Sequence, residues 1–85
     1  MVGTARVLLF ATAREAVGTP QLEWPVPDEG LAISELVAAL IQRYPRLGPV
    51  SAHSRFLINS ECVRGVRAKV RPGDELAIHP PYSGG

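Results

Sequence analysis

Apolar and polar positions alternate with a period of two over Arg6 to Ala11, placing Val7, Leu9 and Ala11 on one face and Arg6, Leu8 and Phe10 on the other. The pattern predicts a strand whose second face is nearer water. A short helical turn is predicted over Ala13 to Val17, followed by a reversal at Gly18, Thr19 and Pro20. Gln21 to Val26 then alternates with Leu22, Trp24 and Val26 inward, as the second arm of a hairpin. Pro25 lacks a ladder donor, so this strand lies at a sheet edge or ends there. After a loop at Pro27 to Gly30, Ile33, Leu36, Val37, Leu40 and Ile41 recur at helical spacing until Pro45 stops the run. Ala32 stands where a capping side chain would be expected, so the start of this helix is expected to fray.

Leu47, Gly48 and Pro49 open a loop reaching Ser54, and Arg55 to Asn59 is a third strand with Phe56 and Ile58 on one face. Asn59 and Ser60 turn the chain into a short strand at Cys62 and Val63. Arg71, Pro72, Gly73 and Asp74 have Pro and Gly where a type II turn needs them, and the last strand is Glu75 to Pro80, with Leu76 and Ile78 facing the core. This order predicts an α+β domain of the ubiquitin-like β-grasp type. Its mixed sheet of about four to five strands would carry one main helix on one face and an extended C-terminal tail. The uncovered face would present Leu8, Phe10, Leu57 and Ala77, with His79 at the end from which the chain departs. An apolar patch on so small a protein marks a partner surface. A one-residue slip in strand parity would exchange the two faces.

Composition narrows the function classes. The 85 residues are 46% apolar and 20% charged, with nine Lys and Arg against eight Asp and Glu, which points to one small globular core and no nucleic-acid or membrane partner. The division expected is a domain over residues 1–79 and a flexible tail over residues 80–85. The longest apolar run, Val7 to Ala11, is far short of a membrane span, and a cytoplasmic location is expected. Cys62 is the only cysteine, which excludes a disulfide framework, and it reads as a small buried hydrophobe. Two histidines and one cysteine without ligand spacing give no metal site. Trp24 reads as a core residue and His53 as a solvated one. Glu15, Glu61 and Asp74 read as turn or surface groups, and Arg64, Arg67, Lys69 and Arg71 as a basic loop able to guide docking to an acidic partner.

The candidate chemistry lies at the end of the chain, where Pro80, Pro81, Tyr82 and Ser83 lead into Gly84 and Gly85. Two terminal glycines arise by chance roughly once in 200 chains. They form the thinnest strip a polypeptide can present, suited to a channel too narrow for side chains. Pro80 and Pro81 hold the exit extended, and six residues reach roughly 20 Å from the body. The terminal carboxylate is therefore the group expected to react.

The run from Gly73 to Gly85, with Val7 to Ala11, Arg14, Glu15, Gly18, the helix bearing Glu35, Leu36 and Leu40, and the Asn59 and Glu61 turn, resembles the MoaD/ThiS sulfur-carrier family. Ser60, His79 and Tyr82 depart from its usual glycine, aliphatic or aromatic, and smaller aliphatic residues. The resemblance is strongest to the branch that serves molybdopterin synthase. It implies that an E1-like adenylating enzyme uses ATP to activate Gly85 and that a sulfur donor protein converts the adenylate to a thiocarboxylate. The loaded tail would then enter a larger catalytic subunit of molybdopterin synthase, in a heterotetramer of two small and two large subunits, and give its sulfur to cyclic pyranopterin monophosphate. Acid and base groups are expected on that larger subunit, and no permanently bound cofactor on this chain. Phe10, Leu8, Leu57, His79 and Arg14 would form the docking face. Two other uses of the same tail remain open at this point: sulfur transfer in thiamin synthesis, against which the full helix and long following loop count, and conjugation of Gly85 to lysines as a ubiquitin-like modifier.

Overall fold

Ala5, Val7 and Leu9 lie fully or almost fully buried on one side of the first strand, β1 (Val2–Leu9), which sets the inner face of the sheet. The computed structural model describes residues 2–81. The elements after β1 are α1 (Ala11–Val17), β2 (Gln21–Pro27), β3 (Leu31–Ala32), α2 (Ile33–Arg43) and α3 (Leu47–Ser51). They are followed by β4 (Arg55–Ile58), β5 (Glu61–Cys62), β6 (Lys69–Val70) and β7 (Glu75–His79). Five strands form one mixed sheet in the order β2-β1-β7-β4-β5, and β3 and β6 form a separate two-stranded ladder. The β1–β7 pair is parallel and the other neighbours are antiparallel. β2 is an edge strand, as Pro25 predicts.

The face parity holds: Val7 and Leu9 pack with Leu76, Ile78 and Val26 against Ile33, Leu36 and Leu40 of α2. Trp24 is half-buried against the same cluster. The first strand is longer and earlier than its alternation indicated, running to Leu9 instead of Ala11. Ala11 has φ 50°, in the left-handed region, so the chain leaves the sheet and enters α1 two residues before Ala13. The carbonyl of Phe10 accepts the Ala13 and Arg14 amides at 2.9 and 3.4 Å, closing that first turn.

The start of α2 is held by one local and two tertiary bonds, against the expected fraying. Glu35 Oε1 accepts the Ala32 N–H at 2.9 Å, while the Ile33 and Ser34 amides donate to the carbonyls of Ala68 and Val66 at 2.9 and 3.0 Å. A loop remote in sequence thus supplies acceptors that Ala32 cannot. The segment after Pro45 is also not a plain loop, since Leu47–Ser51 is helical with Leu47 fully buried. Pro49 is tolerated because it lies in the first turn, where an N–H has no intrahelical acceptor.

Two turns are tied together beneath β7. Asn59 and Ser60 have φ 50° and 72°, and the Glu75 amide donates to Asn59 Oδ1 at 2.9 Å. Asn59 Nδ2 donates to Asp74 Oδ1 at 3.1 Å, and Asp74 Oδ2 accepts the Arg71 N–H at 2.9 Å. Gly73, with φ 88°, occupies the predicted type II position, and the Asp74 amide donates to the Arg71 carbonyl at 2.9 Å. Asp74 is therefore a turn clamp, and the two turns fix where β7 begins. β7 itself ends at His79, one residue before the predicted end, because Pro80 has no amide to donate.

Candidate functional site

The uncovered face is built by register. Leu8 of β1 and Leu57 of β4 both stand opposite Ala77 of β7, and Leu57 stands opposite Cys62 of β5. Ala77 is small enough to be covered by its two leucine neighbours and is only 7% exposed, whereas Leu8 and Leu57 are half-buried. Phe10 projects beyond the end of β1 and is 40% exposed. Its ring stacks on His79 with centroids 4.0 Å apart and planes inclined by 16°. The stack sits at the last residue of β7, immediately before Pro80.

Two hollows flank this exit. One, of about 490 Å³, is lined by Arg55, Leu57, Cys62 and His79, and the other, of about 210 Å³, by Thr12, Pro49 and Val50. His53, Pro80 and Pro81 belong to both. The chain therefore leaves the domain along a ridge between β4–β5 on one side and α1–α3 on the other. Arg14 is exposed on α1. Tyr82, Ser83, Gly84 and Gly85, which carry the expected chemistry, lie outside the described residues.

Charge is distributed unevenly over the face. At the end remote from His79, Arg6 pairs with Glu75 at 3.5 Å, and Thr4 Oγ1 donates to Glu23 Oε1 at 2.9 Å. At the exit end, His53, Arg55 and His79 line the larger hollow with no acidic side chain. Among the described residues Arg55 and Arg14 have no ion pair. The rim at the exit is thus cationic or neutral, suited to an acidic partner surface.

Three residues of this end escaped the sequence reading. Local pattern marks Arg55 only as a strand residue and His53 only as a solvated loop residue; both line the hollow at the exit. Cys62, expected to be buried, is exposed, because β5 is the outermost strand and Cys62 shares the uncovered face with Leu57. The signal for Cys62 was present. A two-residue turn at Asn59 and Ser60 pairs Ile58 with Glu61, which forces Leu57 opposite Cys62. No group of three or more His, Cys, Asp or Glu able to hold a metal occurs among the described residues. Among the described residues no helix is long and apolar enough to cross a membrane.

The sheet order, the crossing helix and the free face define a ubiquitin-like β-grasp domain. The chain belongs to the ThiS family, which it matches over residues 7–85. A molybdopterin synthase sulfur carrier subunit of Chlamydomonas reinhardtii is 37% identical over 81 residues, covering 94% of this chain and 96% of that protein. The protein so named in Homo sapiens is also 37% identical over 81 residues, covering 93% and 91%. Among solved structures, small archaeal modifier protein 1 of Methanosarcina acetivorans superposes with a TM-score of 0.82 at 29% identity, covering 100% of this chain and 99% of that one. The complex of subunits 1 and 2 of the molybdopterin-converting factor of Helicobacter pylori contains a chain of the same fold, with a TM-score of 0.66 at 18% identity and full coverage of both chains.

Proposed function

We propose that this chain is the sulfur-carrier subunit of a molybdopterin synthase and that it works through the carboxylate of Gly85. The observation that carries the reading is identity of 37% over nearly the whole chain to relatives bearing that name. A carboxylate is a poor acyl donor, because attack adds charge to an anion and must expel oxide. Attack of a Gly85 oxygen on the α-phosphate of ATP, in an E1-like enzyme, gives an acyl adenylate and pyrophosphate. A sulfur nucleophile at the sulfide level, delivered by a donor protein, attacks the acyl carbon, expels AMP and leaves a thiocarboxylate. That sulfur is ionised at neutral pH and nucleophilic, by the logic that makes thiolate the reactive form of cysteine. In the larger subunit it would bond to cyclic pyranopterin monophosphate, and hydrolysis of the acyl–sulfur bond would return the carboxylate. Two transfers complete a dithiolene.

The domain contributes presentation. Four residues follow Pro81 and span at most about 13 Å. With the tail extended, Gly85 would react inside a partner, out of reach of His79, His53 and Cys62. The uncovered face would dock the larger subunit and the activating enzyme in turn, the small subunits pairing with two large ones. Phe10→Asp is expected to keep the fold, since the ring is exposed, and to weaken binding to the larger subunit by about tenfold or more in calorimetry. Unchanged affinity would remove this face from the docking surface.

A second reading is favoured by the likeness to small archaeal modifier protein 1. The adenylate would then be consumed by a lysine amine to form an isopeptide. Intact mass measurement of the chain incubated with the E1-like enzyme, ATP and a sulfur donor separates the two. Replacement of one oxygen by sulfur on the free chain is expected. An adenylate that forms but never exchanges for sulfur, with lysine adducts in its place, would replace the carrier reading by the modifier one.

A further inference from the structure

A broad concavity among the described residues takes no part in the proposed chemistry. It is an open groove of about 660 Å³ on the helix-covered side of the sheet, at the β5 edge. Ile33, Val37 and Ile41 of α2 line it together with Phe56, and Val63 and Val66 belong to its other wall. Val66 is 46% exposed, and with Phe10 it is one of two exposed large apolar side chains among the described residues. The wall is fixed by backbone bonds. The Val63 amide donates to the Phe56 carbonyl at 3.1 Å, and the Val66 carbonyl accepts the Ser34 amide at 3.0 Å. A groove so held needs little ordering to receive a ligand.

Its charge is one-sided. Arg55 and Arg64 line the groove and no Asp or Glu does, while Arg67 is exposed just beyond Val66. None of the three arginines has an ion pair among the described residues. We infer that the groove docks an acidic segment of a partner protein, which seats an aliphatic side chain between α2 and Val66 and sets its carboxylates against Arg55 and Arg64. An apolar floor with a cationic rim matches that ligand in both respects. A second copy of this chain fits poorly, because a two-fold contact through the groove would bring Arg64 toward its own equivalent. His53, Arg55 and Cys62 line both this groove and the hollow at the chain exit. A segment held here would therefore run along the β5 edge toward the tail. The inference does not depend on what Gly85 carries.

The test is an amide chemical-shift titration of the full chain with a short synthetic peptide of Glu and Leu, repeated with its Lys-for-Glu counterpart. Saturable shifts at 33–41 and 62–66 are expected with the acidic peptide alone. Arg64→Glu and Val66→Asp are each expected to weaken binding by about tenfold or more, and Phe10→Asp to leave it unchanged. The spectra themselves report folding, and Arg64→Glu, at an exposed site, keeps the test sound if Val66→Asp does not fold. Equal response to both peptides, shifts centred on Leu8, Phe10 and Leu57, or no saturable response would overturn the inference.

Discussion

Deleting Gly85 is expected to reduce sulfur transfer to background while leaving the thermal unfolding midpoint unchanged. Among the described residues the last fully buried side chain is Ile78, and Pro81 is already exposed. Shortening the chain at residue 85 therefore removes none of the packing described here. The chemistry has no such tolerance. Truncation would withdraw the reacting carbon from the activating and sulfur-accepting sites by one residue, roughly 3.3 Å. A misplacement near 1 Å is already enough to cost about 100-fold in rate. The measurement is dithiolene formation with the larger subunit, the activating enzyme and a sulfur donor, beside circular dichroism melting of the same preparation. Retained synthesis by the truncated chain would defeat the proposal that Gly85 carries the sulfur.

Leu76→Ala is expected to do the reverse, by removing the fold that presents the tail. Leu76 is fully buried in β7, facing Val7 of β1 on one side and Ile58 of β4 on the other. Truncating a buried leucine costs about 2–5 kcal/mol. A domain of 85 residues has roughly 4–13 kcal/mol in all. The midpoint should fall by about 10–30 °C, and activity should follow the folded fraction. A shift below about 3 °C would contradict the placement of Leu76 at the centre of the core.

The hairpin, the amphipathic helix and the turn at Pro72 and Gly73 were legible because each is specified by neighbours in sequence. Alternation at Val7 and Leu9, helical spacing from Ile33 to Ile41 and the demands of a type II turn act over a few residues. The separate β3–β6 ladder was not legible. Two-residue strands are too short to show a period, and Leu31 and Val70 meet only because the folded chain brings them together. The same holds for the helix over Leu47–Ser51, where Gly48 and Pro49 argue locally for a loop and the burial of Leu47 argues otherwise. At the site, the open-face residues Leu8, Phe10 and Leu57 could be named from parity. The Phe10–His79 stack, and the convergence of His53, Arg55 and Cys62 on the exit, could not.

The sequence by itself determined the inner and outer faces, the class of fold and the family, because side-chain period and terminal composition are properties of the chain read in order. Only the tertiary structure decided how the ends of the elements are fixed and what surrounds the root of the tail. Those features rest on pairs far apart in sequence, such as Ser34 with Val66 and Asn59 with Glu75, and such contacts exist only after hydrophobic burial has brought the strands and helices into register.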